Sequence, residues 1–240
     1  RDILKVVADE ALGLRPEMTA SIARAACTRL SKRNRPLRLW TTGMVFQGKE
    51  SVDGGFSIEE HLQSGVELFG VKDISAEMEL LSLLLKSMEI VELNKHTKPV
   101  LLIGHTGLLN LILSSVNNFS QEIIRDTLVK FNFLGLENLE LDKYTKKLLI
   151  QIQKIRGKPT DVINTIQDKY GPNEVIEELK RIFKIIEPLA DQYGIRLQLD
   201  PTFQPHFELY NGIVFQFICE RDTYPLVIAR GGRYDELVKK

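Results

Sequence analysis

The sequence predicts an α+β fold: a mostly antiparallel sheet flanked by helices and interrupted by a helical insertion. Three observations predict it. Strand-like segments come in runs instead of alternating regularly with helices, which disfavours a parallel α/β sheet. Residues 118–171 hold several helix-like segments with no convincing strand between them. After Gly194 the strand pattern resumes, so the core is discontinuous: residues 1–117 and 172–240 surround the insertion at 118–171.

Taken in order, LKVVADEALGL (4–14) reads as a strand and a turn, with Gly13 as the break. From Met18 to Arg33 the pattern is helical, with Thr19 as N-cap and Ile22, Ala26, Arg29 and Leu30 at helical spacing. Pro36 ends that helix, and LRLWTTGMVFQ alternates as a strand or strand pair. GKESVDGG is a polar loop, and HLQSGVELFG a further strand with Gln63, Gly65, Glu67 and Phe69 on one face. Asp73–Leu93 is a long amphipathic helix, VLLIGH a buried strand, and GLLNLILSSV a helix after it. QEIIRDTLVKF, LDKYTKKLLIQIQKI and PTDVINTIQDKY supply the insertion's helices; KKLLIQIQK within it reads as an amphipathic face, not as a basic patch. Asn173–Tyr193 is a long helix, followed by the strands IRLQLD, YNGIVFQF and VIARGG.

The chain has 240 residues, 43% of them hydrophobic, enough for one large domain or a domain with an insertion. Its 32 basic and 32 acidic side chains cancel, which argues against a nucleic-acid partner. The apolar runs LLSLLL and VLLIGHTGLLNLIL are too short or too polar to span a bilayer, no signal peptide is visible, and a cytoplasmic location with no membrane partner is expected. Cys27 and Cys219 lie far apart in apolar surroundings and read as buried free thiols. His61, His105 and His206 share no ligand spacing, so satisfied or exposed histidines are expected, with no metal and no cofactor. The chain begins on Arg1 and stops on Lys239-Lys240 just after a structured motif, and so reads as a piece of something longer.

Two stretches raise chemical questions. Gln63 and Glu67 project from the same strand face, where an unpaired buried carboxylate costs several kcal/mol; either that face is solvated or it binds something. Glu17 and Thr19 stand at the mouth of a helix, where carboxylates and hydroxyls also serve as caps. The glycines of ARGGRYD have no phosphate-loop spacing and read as a turn that brings backbone close to a ligand.

Together, LRPEMTASIARA, RLWTTGMVFQ, EEHLQSGVELFG, LYNGIVFQ and ARGGRYDEL, in that order around a helical insertion, resemble histidyl-tRNA synthetase. The resemblance implies a class II aminoacyl-tRNA synthetase-like core whose amino-acid pocket these stretches line. It assigns Glu17, Thr19 and Gln63 to the α-ammonium group of histidine. It assigns Glu67, Tyr210 and Tyr234 to the imidazole, with Gly212 letting the strand approach the ligand. The chemistry suits those roles, because an ammonium takes carboxylate, hydroxyl and amide acceptors.

The departures bear on function. Where the synthetases carry Phe-Arg-x-Glu to grip ATP, this chain reads Phe46-Gln47-Gly48-Lys49, and Pro205 stands where a second arginine contacts the carboxylate and α-phosphate. Adenylation needs those cations, since charge builds on phosphate oxygens in the transition state. A synthetase core with its amino-acid pocket kept and its ATP-gripping arginines lost resembles the regulatory subunits of ATP phosphoribosyltransferase, a non-catalytic paralogue family. That resemblance implies several things. The partner is the short-form catalytic subunit, in the first step of histidine biosynthesis. The assembly is a hetero-octamer built on synthetase-like homodimers. Histidine acts as feedback ligand, and the chain has no catalytic residue of its own. The alternatives are a divergent histidyl-tRNA synthetase whose ATP contacts have moved, and a stand-alone amino-acid-binding protein.

Overall fold

Strand pairing starts with β1 (Leu4–Val6) against β2 (Leu12–Leu14), antiparallel and mostly exposed. Helix α1 (Thr19–Cys27) follows and lays the small side chains Ala23 and Ala26 inward, packing on the later strand β4 (Phe56–Phe69). Before that strand comes β3 (Leu37–Glu50), and the two pair over fourteen residues, from Leu37↔Phe69 to Glu50↔Phe56. The ribbon turns at Ser51–Gly55, where Ser51 donates through N–H (2.7 Å) and hydroxyl (3.1 Å) to the Gly55 carbonyl and Gly54 takes φ +77°. Of the polar segment expected as a loop, Gly48–Glu50 thus continue β3, held by inter-strand hydrogen bonds and not by burial, and the turn comes after them. This computed structural model describes residues 3–6, 9–10, 12–51, 53–93, 97–116, 121–205, 209–221 and 224–238.

The chain divides into two compact units, Arg1–Ala76 with Leu237–Lys240, and Glu77–Glu236. The second unit is built on a four-stranded sheet. Its members are β5 (Lys98–His105), β6 (Arg196–Leu199), β7 (Ile213–Arg221) and β8 (Tyr224–Gly232), in the order β6-β5-β7-β8. β5 and β6 run parallel; the other pairs are antiparallel, with a register shift between Phe217 and Ile218. Apolar β5 is buried almost throughout, as its unbroken hydrophobic run demands.

Helices supply the rest of this core. α2 (Ser75–Ile90) buries Leu81 and Leu85, and α3 (Thr106–Leu113) buries Leu108, Leu109, Ile112 and Leu113. The segment between these and the long helix folds into α4 (Gln121–Val129), α5 (Phe133–Asn138), α6 (Lys143–Lys154) and α7 (Pro159–Tyr170). α8 (Glu174–Gln192) starts on the Asn173 cap, whose side chain accepts from Val175 N–H at 2.9 Å. It buries Ile176, Leu179, Ile182, Phe183, Ile186 and Ala190 at three- and four-residue spacing, packing on α7, α3 and β6. A final turn of helix, α9, covers Asp235–Val238.

One backbone crossing fixes the geometry around β5. A Cβ built at Gly104 would fall on the Phe203 carbonyl oxygen, so only glycine lets the Asp200–Gln204 loop pass over the strand. That loop is tied by Asp200, which is buried, donates its N–H to the Ile103 carbonyl (2.9 Å) and accepts from the Thr202 N–H and hydroxyl (2.9 and 2.8 Å). The cysteine expectation needs correction at one end: Cys219 is buried, but Cys27 is exposed at the last residue of α1. Of the residues read from the sequence, His206 lies outside the described residues.

Candidate functional site

The two faces of the first unit's ribbon differ in exposure, and Glu67 shares the less exposed one with buried Val45 and Phe69. Leu62 (73% exposed) and Trp40 (78%) sit on the open face, while Glu67 on the other face is only 8% exposed. Gln63 stands four residues earlier on the same face; its Oε1 is buried and accepts no hydrogen bond. A buried amide acceptor left unpaired is a cost that a bound donor removes.

Register brings a third group to this face. Gly43 lies opposite Gln63, and a Cβ there would stand 2.7 Å from Nη2 of Arg15, whose guanidinium crosses the strand in the space glycine leaves. Arg15 is fastened by Nε donating to the Met44 carbonyl at 2.7 Å, while its own carbonyl accepts from Phe46 N–H at 2.9 Å. Arg15 is not marked by the local sequence; its place across Gly43, opposite Gln63, follows from the ribbon register. Two residues on, the Glu17 carboxylate accepts from Ala20 N–H through both oxygens (3.0 and 3.2 Å), and half-buried Thr19 opens α1. Glu17 thus holds the capping geometry, with both oxygens at the positive end of the helix.

The same ribbon face continues outward from Gln63 to Gln47 and Lys49 on β3 and Glu59 on β4. Lys49 Nζ lies 2.6 Å from Glu59 Oε1, and His61 Nε2 is 3.4 Å from the other oxygen. The hydrogen bond raises the lysine pKa and lowers that of the glutamate, so this ammonium already has its counter-charge.

In the second unit, Tyr210 and Tyr234 are both half-buried. The Tyr210 ring packs over Gly232, where a Cβ would stand 2.7 Å from its Cδ1. The polar mouth of β7 has a structural job. Asn211 N–H donates to the Arg233 carbonyl and Asn211 Oδ1 accepts from Asp235 N–H, both at 2.9 Å, clamping the start of β7 to the end of β8. Gly212 makes room for the Arg233 side chain, whose Cδ lies 3.0 Å from a Cβ built there.

Arg233 is the hub of this region, donating to Glu77 Oε1 (3.0 Å) and Asp235 Oδ2 (2.9 Å). His105, buried at the end of β5, caps α3: its Nδ1 accepts from Gly107 N–H at 3.0 Å. Burial, helped by the Arg233 charge, lowers its pKa to about 4, so the imidazole is neutral at pH 7. Thr106 accepts from Gln204 Nε2 at 2.8 Å and its hydroxyl donates to the Tyr210 or Gly212 carbonyl. None of His105, Thr106, Gln204 or Arg233 was singled out by sequence reasoning as a site residue. Thr106–Gln204 and Arg233–Glu77 join residues 98 and 156 positions apart, so no local pattern marks them. Among the described residues no group of three or more His, Cys, Asp and Glu is placed to hold a metal ion, and no helix is long and apolar enough to cross a membrane.

A family model, Histidyl-tRNA synthetase, matches residues 1–240. The chain belongs to the histidyl-tRNA synthetase family. Within that family it is 54% identical over 240 residues to the ATP phosphoribosyltransferase regulatory subunit of Prochlorococcus marinus strain MIT 9303, covering 100% of this chain and 61% of that protein. It therefore spans about 61% of the length of the curated relatives it matches. The crystal structure of an ATP phosphoribosyltransferase regulatory subunit/histidyl-tRNA synthetase from Bacillus halodurans C superposes with TM-score 0.81 at 28% identity, over 99% of this chain and 62% of that one. A chain of the ATP phosphoribosyl transferase (HisG:HisZ) complex from Thermotoga maritima superposes with TM-score 0.70 at 17% identity, over 98% of this chain and 84% of that one, a likeness of fold. The α+β architecture described above is accordingly that of the histidyl-tRNA synthetase family.

Proposed function

We propose that this chain acts in a regulatory subunit of ATP phosphoribosyltransferase, without chemistry of its own. It serves a short-form catalytic subunit in a hetero-octamer built on homodimers, and it takes part in feedback by histidine. The observation that carries the reading is the continuous ribbon face. At one end it keeps buried Glu67 and Gln63 with its unpaired acceptor. At the other it offers neutral Gln47 and a lysine already neutralised by Glu59, where adenylation needs free positive charge on the phosphate. Names borne by relatives more than half identical support the same reading.

Glu17, Thr19 and Gln63 hold the histidine ammonium in this proposal, and Glu67 takes the imidazole N–H, with Tyr210 and Tyr234 carried over from the family as further ring contacts. Histidine-dependent exchange of pyrophosphate into ATP is the deciding assay. No exchange above background is expected, together with a rise in phosphoribosyltransferase rate when the protein is added to a short-form catalytic subunit. Robust exchange sinks the reading and restores the synthetase.

A further inference from the structure

From Met18 to Lys49 the chain carries seven bases and not one acid, although the whole protein has 32 of each. Four of these, Arg24, Arg29, Lys32 and Arg33, are exposed and lie on the end of α1 and the turn after it. Among the described residues their side chains make no ion pair. Cations in the last turn of a helix complement its dipole, which accounts for Arg24. It does not account for Arg29, Lys32 and Arg33, which lie past the helix end.

The turn that displays them is built, not loose. Thr28 Oγ1 donates to the Arg24 carbonyl and Ser31 Oγ to the Thr28 carbonyl, both at 2.7 Å. Backbone bonds run Leu30 N–H to Ala25 O (2.9 Å) and Arg33 N–H to Leu30 O (3.1 Å). Arg35 Nη2 ties the far end back to the Ala26 carbonyl at 3.1 Å, and its stem fills the space left by Gly70, where a Cβ would stand 2.8 Å from Arg35 Cβ. Like charges are therefore gathered on an ordered scaffold with no ion pair among the described residues to offset them, a cost that a complementary surface relieves.

We propose that this basic turn is a docking surface for an acidic face of another protein chain; resting on the regulatory reading, that chain is the catalytic subunit. A nucleic acid fits less well. Outside this segment the chain carries an excess of seven acids, so an extended polyanion leaving the turn meets repulsion. No aromatic residue lies between Arg24 and Leu39 on which bases stack. Three of the four cations are arginines, the basic residue enriched at protein interfaces.

The test measures association of the purified protein with a short-form catalytic subunit in low and high salt. It compares wild type, Arg29→Glu/Arg33→Glu and the charge-keeping Arg29→Lys/Arg33→Lys. The reversed variant is expected to associate about tenfold more slowly or worse and to lose most of its salt dependence, because peripheral charges act mainly on the encounter rate. The lysine variant stays near wild type, and histidine binding by the reversed variant stays unchanged, which shows that it is folded. Equal rates and salt slopes for wild type and reversed variant overturn the docking surface while leaving the regulatory reading standing. A wild type that never binds the catalytic subunit sinks that reading and this inference with it. Tighter capture of a single-stranded RNA oligonucleotide than of the catalytic subunit, lost on charge reversal, replaces the protein partner with a nucleic acid.

Discussion

Gly43 and Gln63 stand opposite each other across the β3–β4 ribbon, and the missing β-carbon of Gly43 is what lets the Arg15 guanidinium lie beside Gln63. A cation and an unpaired amide acceptor thus share one strand face with the buried carboxylate of Glu67. In the proposed reading, this polar face takes the ammonium and ring N–H of histidine.

Glu17 has two separable roles. Its carboxylate caps α1 through Ala20 N–H, and it is proposed to pair with the ligand ammonium. Glu17→Ala is expected to lose about 0.5–2 kcal/mol of stability, the range for a helix cap, and to lose histidine binding as well. Glu17→Gln keeps an acceptor oxygen for the cap but not the charge. Its urea midpoint should stay near wild type while calorimetry shows histidine affinity falling. Parallel losses in both variants would mean that only the cap matters.

His105 makes stability depend on pH. Its folded pKa lies at about 4 and its unfolded value near 6.5, so between those pH values the unfolded chain binds more protons. Stability from this group is therefore full above pH 6.5 and is lost as pH falls toward 4, with an upper bound of about 3 kcal/mol. His105→Asn keeps an N-cap acceptor without the titration. Urea unfolding of both proteins at pH 4, 5, 6 and 7 should show wild type losing its advantage toward low pH. A constant difference across that range would assign the His105 contribution to packing.

The Arg233–Glu77 pair joins residues 156 positions apart, with Glu77 buried. Arg233→Met strands that carboxylate and should cost roughly 2–3 kcal/mol, less than a fully buried pair because the arginine is partly exposed. Arg233→Met/Glu77→Leu removes both charges and should recover most of the loss. Chemical denaturation of the two singles and the double gives the coupling; additive losses would show that the pair contributes through shape alone.

What the sequence disclosed follows from where burial sets a pattern. The stripe from Ile176 to Ala190 and the apolar run of β5 are legible because a core face imposes a period. The distal ribbon is not: Gln47, Lys49 and Glu50 face Glu59, Ser57 and Phe56 in solvent, so no alternation marks the strands, and cross-strand hydrogen bonds alone continue them. α5 escaped notice because FLGLEN is six residues long and depends on Asn132 accepting from Gly135 N–H, not on propensity. At the site, family motifs named residues whose chemistry is plain in one stretch. They gave no hint of Arg15 over Gly43 or of Arg233 filling the space at Gly212, since both depend on register between distant segments.

Gln63 offers the sharpest separation of stability from function. Without a ligand its buried Oε1 goes unpaired, so the folded chain carries the desolvation of that oxygen with no return. Gln63→Leu removes the oxygen at similar volume. It should leave stability unchanged or raise it by up to about 1 kcal/mol. Histidine binding should move the other way, weakening by about 1–3 kcal/mol, the scale of a hydrogen bond to a charged group. An effector acts only through its different affinities for two states, so a protein that binds histidine poorly should transmit its inhibition poorly. The variant complex should be activated like wild type yet need about tenfold more histidine for half-inhibition, since each 1.4 kcal/mol is tenfold. Phosphoribosyltransferase rate against histidine concentration, beside urea midpoints of the two proteins, reads both effects. An unchanged inhibition curve with weakened calorimetric binding would place the regulatory histidine on another chain and leave this polar face as an inherited pocket.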